Sequence, residues 1–202
     1  LTADDAWRKA RLAIEAGRLR AATTVVEVVA PEAIPQVAEL NNSPSRFLTS
    51  RVVAASKVRK EMIVLALIKL AATDPTSAAN QLENKWGPML SAEERNWLWG
   101  TIGRAAAIKL WPQAGSYFAN VTKNSDLSDD MLAWRVRAAL RAGQWKEVVP
   151  AINAMSETAQ LDPTWVYWKA RALGAAGGDE RRAQARELYQ SIAGTRGFYE
   201  ML

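Results

Sequence analysis

Three pairs of identical acidic residues, adjacent in sequence, are of a type and spacing that could act in catalysis. Two carboxylates that share a cleft can act as general acid and base on a glycosidic bond, provided that burial raises the pKa of one of them. The pairs are Asp4-Asp5, Glu93-Glu94 and Asp129-Asp130. Each pair stands where a helix is predicted to begin, where carboxylates cap the first turn and suit the helix dipole. We therefore assign them to capping and predict no catalytic residue.

Four other carboxylates are not obvious caps: Glu83, Glu147, Glu187 and Glu200. No neighbouring residues indicate a cleft around any of them, which disfavours a glycosidase formed by this chain alone. The sequence contains no histidine and no cysteine. Catalytic triads that need either residue are excluded, as are zinc sites that need either ligand. With no phosphate loop and no GxGxxG motif, we predict no cofactor and no metal.

Two arginines are the candidate binding residues. Arg137 and Arg171 occupy the same position of two consecutive sequence repeats. By analogy with tetratricopeptide geometry, that position faces a concave groove, where both would belong to an anion-binding stripe. The alternative, which we favour, is ion pairing within the scaffold or a side-chain stem that covers apolar surface. Arg135 and Arg141 are predicted to be solvated.

The chain has a net charge of +5 and an isoelectric point of about 9.6. Such an excess attracts polyanions such as nucleic acid, anionic lipid or an acidic cell-wall polymer. Because lysine and arginine are spread along the chain, the alternative to polyanion binding is an ordinary solvated surface with a small excess of positive charge. Helical repeats that read RNA carry a regular code of polar residues, and none is present, so we predict no nucleic-acid partner.

Membrane and export signals are also absent from the sequence. The longest apolar stretch, Met62 to Ile68, has seven residues, whereas a bilayer crossing needs about 20. No signal peptide precedes the first helix. We therefore expect no integral membrane segment, and a mature chain or a fragment from which any signal has been removed.

The segments that must position the candidate acidic and basic residues have the apolar periodicity of helices along most of the chain. Proline and glycine separate the segments, Ser91 to Glu94 forms a capping-box pattern, and Pro150 is predicted to kink its helix. No pair of segments resembles a β-hairpin. The predicted helices are residues 3–16, 19–29, 33–41, 44–57, 60–73, 74–87, 91–110, 112–121, 128–142, 144–155, 162–176 and 180–192.

A sequence repeat is clearest in residues 91–202, with a period of about 34 residues, the length of a tetratricopeptide repeat. Trp111 and Trp145 are one period apart, as are Trp134 and Trp168. A helix, a glycine turn and a second helix at this period are typical of tetratricopeptide-like repeats, which stack to bury a continuous core. The predicted fold is all-α: a right-handed α-superhelix of stacked helix pairs, a degenerate tetratricopeptide-like solenoid. Residues 1–202 are predicted to form one such scaffold.

Nine tryptophans invite a prediction of sugar stacking, but a tryptophan at a fixed repeat position is more often a wedge in the core. We predict core positions for Trp97, Trp111, Trp134, Trp145 and Trp168. We make no firm assignment for Trp7, Trp86, Trp99 and Trp165.

The C-terminal residues carry a family resemblance. Residues 165–173 read WVYWKARAL, residues 185–193 read ARELYQSIA, and residues 197–199 read GFY. This stretch resembles the end of the superhelical domain of the soluble lytic murein transglycosylases, where a W-x-Y-W-x-A-R-A helix precedes an L-Y-x-x-I-A helix and an F-Y segment. Residues 4–11, DDAWRKAR, are similar to a helix of that domain. The specific match covers the stretch from Trp165 to the last residue.

The resemblance implies a periplasmic bacterial enzyme that cleaves the MurNAc–GlcNAc bond of peptidoglycan and forms a 1,6-anhydro product. It also implies a U-shaped or ring-shaped superhelix followed by a lysozyme-like domain, whose catalytic acid is the Glu of a Glu-Ser motif. This sequence has no Glu-Ser dipeptide, so no catalytic residue is carried over. The expectation is a non-catalytic scaffold, without the lysozyme-like domain, that positions glycan strands.

Two further expectations complete the interpretation. The alternative function is a tetratricopeptide-like interaction solenoid that binds peptides or proteins in its groove. A solenoid with an uncapped end exposes apolar surface, so some self-association is predicted.

Overall fold

The computed structural model describes residues 2–50 and 53–194, and in these residues the only regular secondary structure is helical. Short 3₁₀ turns join several helices, and a π-helical turn, Leu82–Trp86, continues the sixth. The α-helices are α1 Ala3–Glu15, α2 Leu19–Val29, α3 Ile34–Asn42, α4 Pro44–Thr49, α5 Lys57–Thr73, α6 Pro75–Gln81, α7 Ala92–Ile108, α8 Ala114–Ala119, α9 Asp129–Arg141, α10 Val148–Asn153, α11 Glu157–Gln160, α12 Pro163–Ala176 and α13 Asp179–Ile192.

Local signals set most helix ends. The predicted capping box of α7 is present: Ser91 Oγ accepts from the Glu94 N–H at 3.2 Å, and Glu94 Oε2 accepts from the Ser91 N–H at 2.8 Å. Such reciprocal bonds satisfy N–H groups that have no partner within the helix. After α1 and α9, Gly17 and Gly143 have φ values of +70° and +69°, a conformation that other residues rarely adopt.

Two long helices form the middle of the structure. Helix α5 packs against α1, α3, α4, α6 and α7, and α7 packs against α5, α6, α8 and α9. The apolar run Met62 to Ile68 lies at the centre of α5 and is almost completely buried. A helix that is apolar on every side is a buried helix, and neighbouring layers surround this one. Among the described residues, none of the helices combines the length and apolarity needed to cross a membrane.

The layers continue along the chain. Helix α9 packs on α7 and α10, α10 packs on α12, and α12 packs on α13. Most contacts are therefore made between helices close in sequence, as in a helical solenoid. The predicted all-α superhelical fold is confirmed.

Several predicted helices differ from the observed ones. Residues 44–57 were predicted to be helical, but α4 ends at Thr49 and α5 begins at Lys57, capped by Ser56. The predicted kink at Pro150 is wrong. A 3₁₀ turn precedes α10, so Pro150 stands in the first turn, where its missing N–H needs no helical partner.

The tryptophan predictions fail in part. Trp97 is buried, as predicted, but the other four predicted core residues are only half-buried: Trp111, Trp134, Trp145 and Trp168. The four left unassigned are buried: Trp7, Trp86, Trp99 and Trp165. A shared repeat position alone does not determine how deeply a tryptophan is buried, because burial also depends on the helices that pack over its side chain.

Candidate binding groove

A groove of about 1220 Å³ lies between α8, α9, α10 and α12. Small side chains form much of its wall, several of them on α9 and α12. Ala138 and Ala172 occupy the same position of consecutive repeats, and both line the groove. Because alanine projects only a methyl group, these positions leave open space in the groove.

The groove is also lined by Trp145 and by polar side chains. The polar residues are Ser116, Arg135, Gln144, Lys146, Glu147 and Arg181. Arg135 is largely buried and donates hydrogen bonds to Asn124 Oδ1 at 2.6 Å and Glu147 Oε2 at 3.3 Å. Burial lowers the pKa of its guanidinium against the opposing effect of Glu147, yet arginine stays charged at any physiological pH. The prediction that Arg135 is solvated is wrong.

The groove can bind an anion but lacks the groups for acid–base cleavage. Glu147 is the one carboxylate among its lining residues. Its side chain is 49% exposed and pairs with Arg135, whereas a general acid at neutral pH needs burial without a neutralising cation. Lys146 and Arg181 are both exposed, and neither forms an ion pair with a described residue.

The expectation that no cleft surrounds the uncapped carboxylates is wrong for Glu147. Its neighbours in sequence give no sign of the groove, because α12 supplies the opposite wall. Glu83 borders a small indentation of about 300 Å³. Glu187 is exposed on α13, and Glu200 lies outside the described residues.

The two predicted binding arginines contact aromatic rings and do not line the groove. The guanidinium of Arg137 lies 4.7 Å from the centroid of the Trp134 ring and 5.2 Å from that of Trp165. Arg171 lies 5.9 Å from the Tyr167 ring and donates a hydrogen bond to its hydroxyl at 3.1 Å. These contacts favour a role in covering apolar surface, and the anion-binding stripe stays a prediction.

The paired acids have more partners than capping requires. Asp5 and Glu94 cap their helices as predicted. Asp130 instead pairs with Arg104, and Asp129 accepts from the backbone N–H and hydroxyl of Ser156, at 2.8 and 2.6 Å. Capping alone therefore does not explain the third pair.

The second acidic pair belongs to a buried ionic network that joins α1, α5 and α7. Arg11 donates to both oxygens of Glu61, at 3.0 and 2.6 Å, and to both oxygens of Glu93, at 2.7 and 3.1 Å. Lys57 Nζ lies 2.8 Å from Glu61 Oε1 and 2.9 Å from Glu94 Oε1. Burial raises the pKa of Glu94, but hydrogen bonds from Lys57 and the Ser91 N–H outweigh it and hold the pKa below its ordinary value. The carboxylate of Glu94 therefore stays ionised at neutral pH, and the network as a whole joins helices.

Within residues 2–50 and 53–194, no group of three or more acidic side chains is placed to hold a metal ion.

No protein-family model matches the sequence, and no curated protein matches it either. A solved structure does match: the X-ray structure of an inactive mutant of the lytic transglycosylase Slt from Pseudomonas aeruginosa. The two share 25% sequence identity with a TM-score of 0.63, over 99% of this chain. The chain has the superhelical fold of a lytic transglycosylase.

The similarity to the transglycosylase extends well beyond the residues that suggested it. The sequence resemblance was specific only from Trp165 onward, and residues 195–202, including the GFY segment, lie outside the described residues. The chain spans 33% of the length of Slt. This chain is thus similar to about a third of Slt. Its described part contains the groove and the buried ionic network.

Proposed function

We propose that this chain is the non-catalytic helical scaffold of a bacterial lytic transglycosylase. It takes part in peptidoglycan cleavage and turnover by positioning glycan strands for a catalytic domain outside residues 1–202. The observation that carries the proposal is the similarity to Slt over 99% of the chain. A location in the periplasm, against the cell wall, follows from the same proposal.

The carboxylates of the described residues support a scaffold over a catalytic unit. A transglycosylase acid must hold a proton near neutral pH, which needs burial in a cleft that substrate can enter. Glu61 and Glu94 are buried but ion-paired. Glu15 has a pKa raised by burial, but it faces Arg104 and does not line the groove.

The charge of the molecule supports binding to murein. Its net charge is +5, and the peptides attached to murein glycan carry carboxylates. Attraction between exposed charges raises the local concentration of such a polymer and weakens as salt screens it.

Co-sedimentation with purified sacculi tests this function. The chain should pellet with sacculi at low ionic strength and return to the supernatant at high ionic strength. Chitin, an insoluble N-acetylglucosamine polymer without peptides, is the matched control and should retain less protein. Protein that stays in the supernatant with sacculi at low ionic strength would contradict the proposal, whereas equal retention by chitin would contradict only the contribution of the peptide carboxylates.

A second function, a peptide-binding interaction solenoid, is favoured by one observation. The groove between α9 and α12 is bounded by consecutive helical layers, the arrangement in which repeat proteins bind extended segments. This function would replace the first if the chain bound peptides but did not bind sacculi.

A further inference from the structure

We propose that the groove between α8, α9, α10 and α12 binds the peptide stems of murein, as extended chains that carry carboxylates, and does not bind the sugars. The inference rests on the proposed function, because it assumes that the scaffold meets murein. It adds the site, the part of the polymer that is recognised, and the residues that recognise it.

Charge complementarity points to an anionic occupant. Three cations, Arg135, Lys146 and Arg181, line the groove against one carboxylate, Glu147, so the lining carries a net charge of +2. The Arg135–Glu147 pair is internally satisfied. Lys146 and Arg181 are exposed and make no ion pair with a described residue. A ligand with two carboxylates would therefore complete the groove.

The lining also offers partners to a peptide backbone. The amide of Gln144 and the hydroxyl of Ser116 both line the groove, and both can donate and accept hydrogen bonds. Small side chains of α9 and α12 line the same groove and leave space for a chain. A groove with a few polar groups among apolar walls is the usual form of a specific ligand site.

The aromatic residues of the groove are poorly placed for sugar stacking. Phe118 lines the groove but is buried. Trp145 is half-buried and its ring contacts Trp168, with 6.5 Å between the centroids and 40° between the planes. A neutral sugar would also leave Lys146 and Arg181 unmatched. The lining thus fits the peptide better than the glycan.

Calorimetric titration of the whole chain with three soluble probes tests the ligand class. The probes are the free stem peptide, the same peptide with its carboxylates amidated, and a chitooligosaccharide. The free peptide should bind, and amidation of both carboxylates should weaken binding about a hundredfold, because each charge-assisted hydrogen bond lost contributes about a factor of ten. The chitooligosaccharide should not bind.

Charge reversals test the site. Arg181→Glu and Lys146→Glu should each weaken peptide binding about tenfold. Arg182→Glu is the matched control for the first, since Arg182 is exposed, adjacent in sequence and absent from the groove lining. Lys9→Glu, at an exposed position of α1, which contributes no residue to the groove lining, is the control for the second. Both controls should bind the peptide as the native chain does.

A steric variant tests the groove without changing its charge. Ala175 lines the groove and is exposed, so Ala175→Trp should leave the fold intact while filling the space. Circular dichroism checks the fold, and peptide binding should be lost.

The possible outcomes distinguish failure of the groove assignment from failure of the scaffold function. Equal peptide binding by Arg181→Glu and Arg182→Glu would overturn the groove site, and co-sedimentation with sacculi would still support the scaffold. Chitooligosaccharide binding that Ala175→Trp abolishes would overturn the peptide assignment. Peptide binding in the groove without sacculus binding would overturn both the murein assignment and the scaffold function, and favour the interaction solenoid.

Discussion

Arg11 and Glu61 form a bidentate ion pair between α1 and α5, although they are far apart in sequence. Arg11 Nε lies 3.0 Å from Glu61 Oε2, and Nη2 lies 2.6 Å from Oε1. The side chains are 1% and 0% exposed. Because Glu93 of α7 occupies the other side of the same guanidinium, one arginine fixes three helices relative to one another.

Replacing Glu61 tests this junction. Glu61→Gln should lower the free energy of unfolding by about 3 kcal/mol, because it leaves a buried arginine without its most buried counter-charge. Glu93→Gln is the matched control: it removes a partner of the same arginine, but one that is 37% exposed, so its effect should be clearly smaller. Urea unfolding followed by circular dichroism measures both. Equal effects would contradict a role specific to the buried pair.

The pH dependence of stability should reveal Glu15. Burial raises its pKa, Arg104 opposes the shift and Asp130 adds to it. Since the folded pKa lies above the unfolded one, the stabilisation is complete below the unfolded pKa and is lost as pH rises through the folded pKa. Glu15→Gln cannot ionise, so it should unfold at higher urea concentration than the native chain near neutral pH.

The same comparison supplies its own control. In acid, where the carboxyl is protonated in both states, the native chain and Glu15→Gln should have similar urea midpoints. Glu187→Gln, at an exposed position of α13, should not produce this pH-dependent difference. A Glu15→Gln variant that is less stable near neutral pH would show that the ion pair with Arg104 dominates over burial.

Gly103 permits close packing between α7 and α8. A Cβ at this position would lie 2.8 to 2.9 Å from atoms of the Phe118 ring. Gly103→Ala should therefore destabilise the fold by about 1–3 kcal/mol, despite the higher helix propensity of alanine. Gly174→Ala in α12 is the matched control, because nothing lies within 4 Å of its Cβ position, and it should stabilise by up to about 1 kcal/mol. Thermal unfolding distinguishes them; stabilisation by both would contradict the predicted clash.

Arg137 distinguishes the two roles considered for the repeat arginines. If it covers Trp134 and Trp165, Arg137→Ala should lower the free energy of unfolding by about 0.5–1 kcal/mol and leave sacculus binding nearly unchanged. Arg20→Ala, at an exposed site on α2, is the control. Loss of sacculus binding without loss of stability would instead establish the anion-binding role.

The helices were largely predictable because their signals are local. Ser91, Asp162 and Gly143 mark helix ends within a few residues of themselves, and each acts as predicted. Arg11, Glu61 and Glu93 give no such signal, because their contacts join residues 50 and 82 positions apart.

The groove escaped prediction for the same physical reason. Lys146 and Arg181 are unremarkable in sequence and line one cavity only when α12 packs on α10 and α13 packs on α12. One signal was present: Ala138 and Ala172 are one repeat period apart, and small residues at equivalent positions of adjacent layers leave space between helices.

Binding and bond cleavage measured in one sample test the central claim most directly. The chain is incubated with purified sacculi and pelleted; the bound protein is quantified, and mass spectrometry detects soluble 1,6-anhydro muropeptides. A scaffold that positions murein without cleaving it should pellet with the sacculi and release no anhydro product. Release of anhydro product, or protein that stays in the supernatant, would contradict that account.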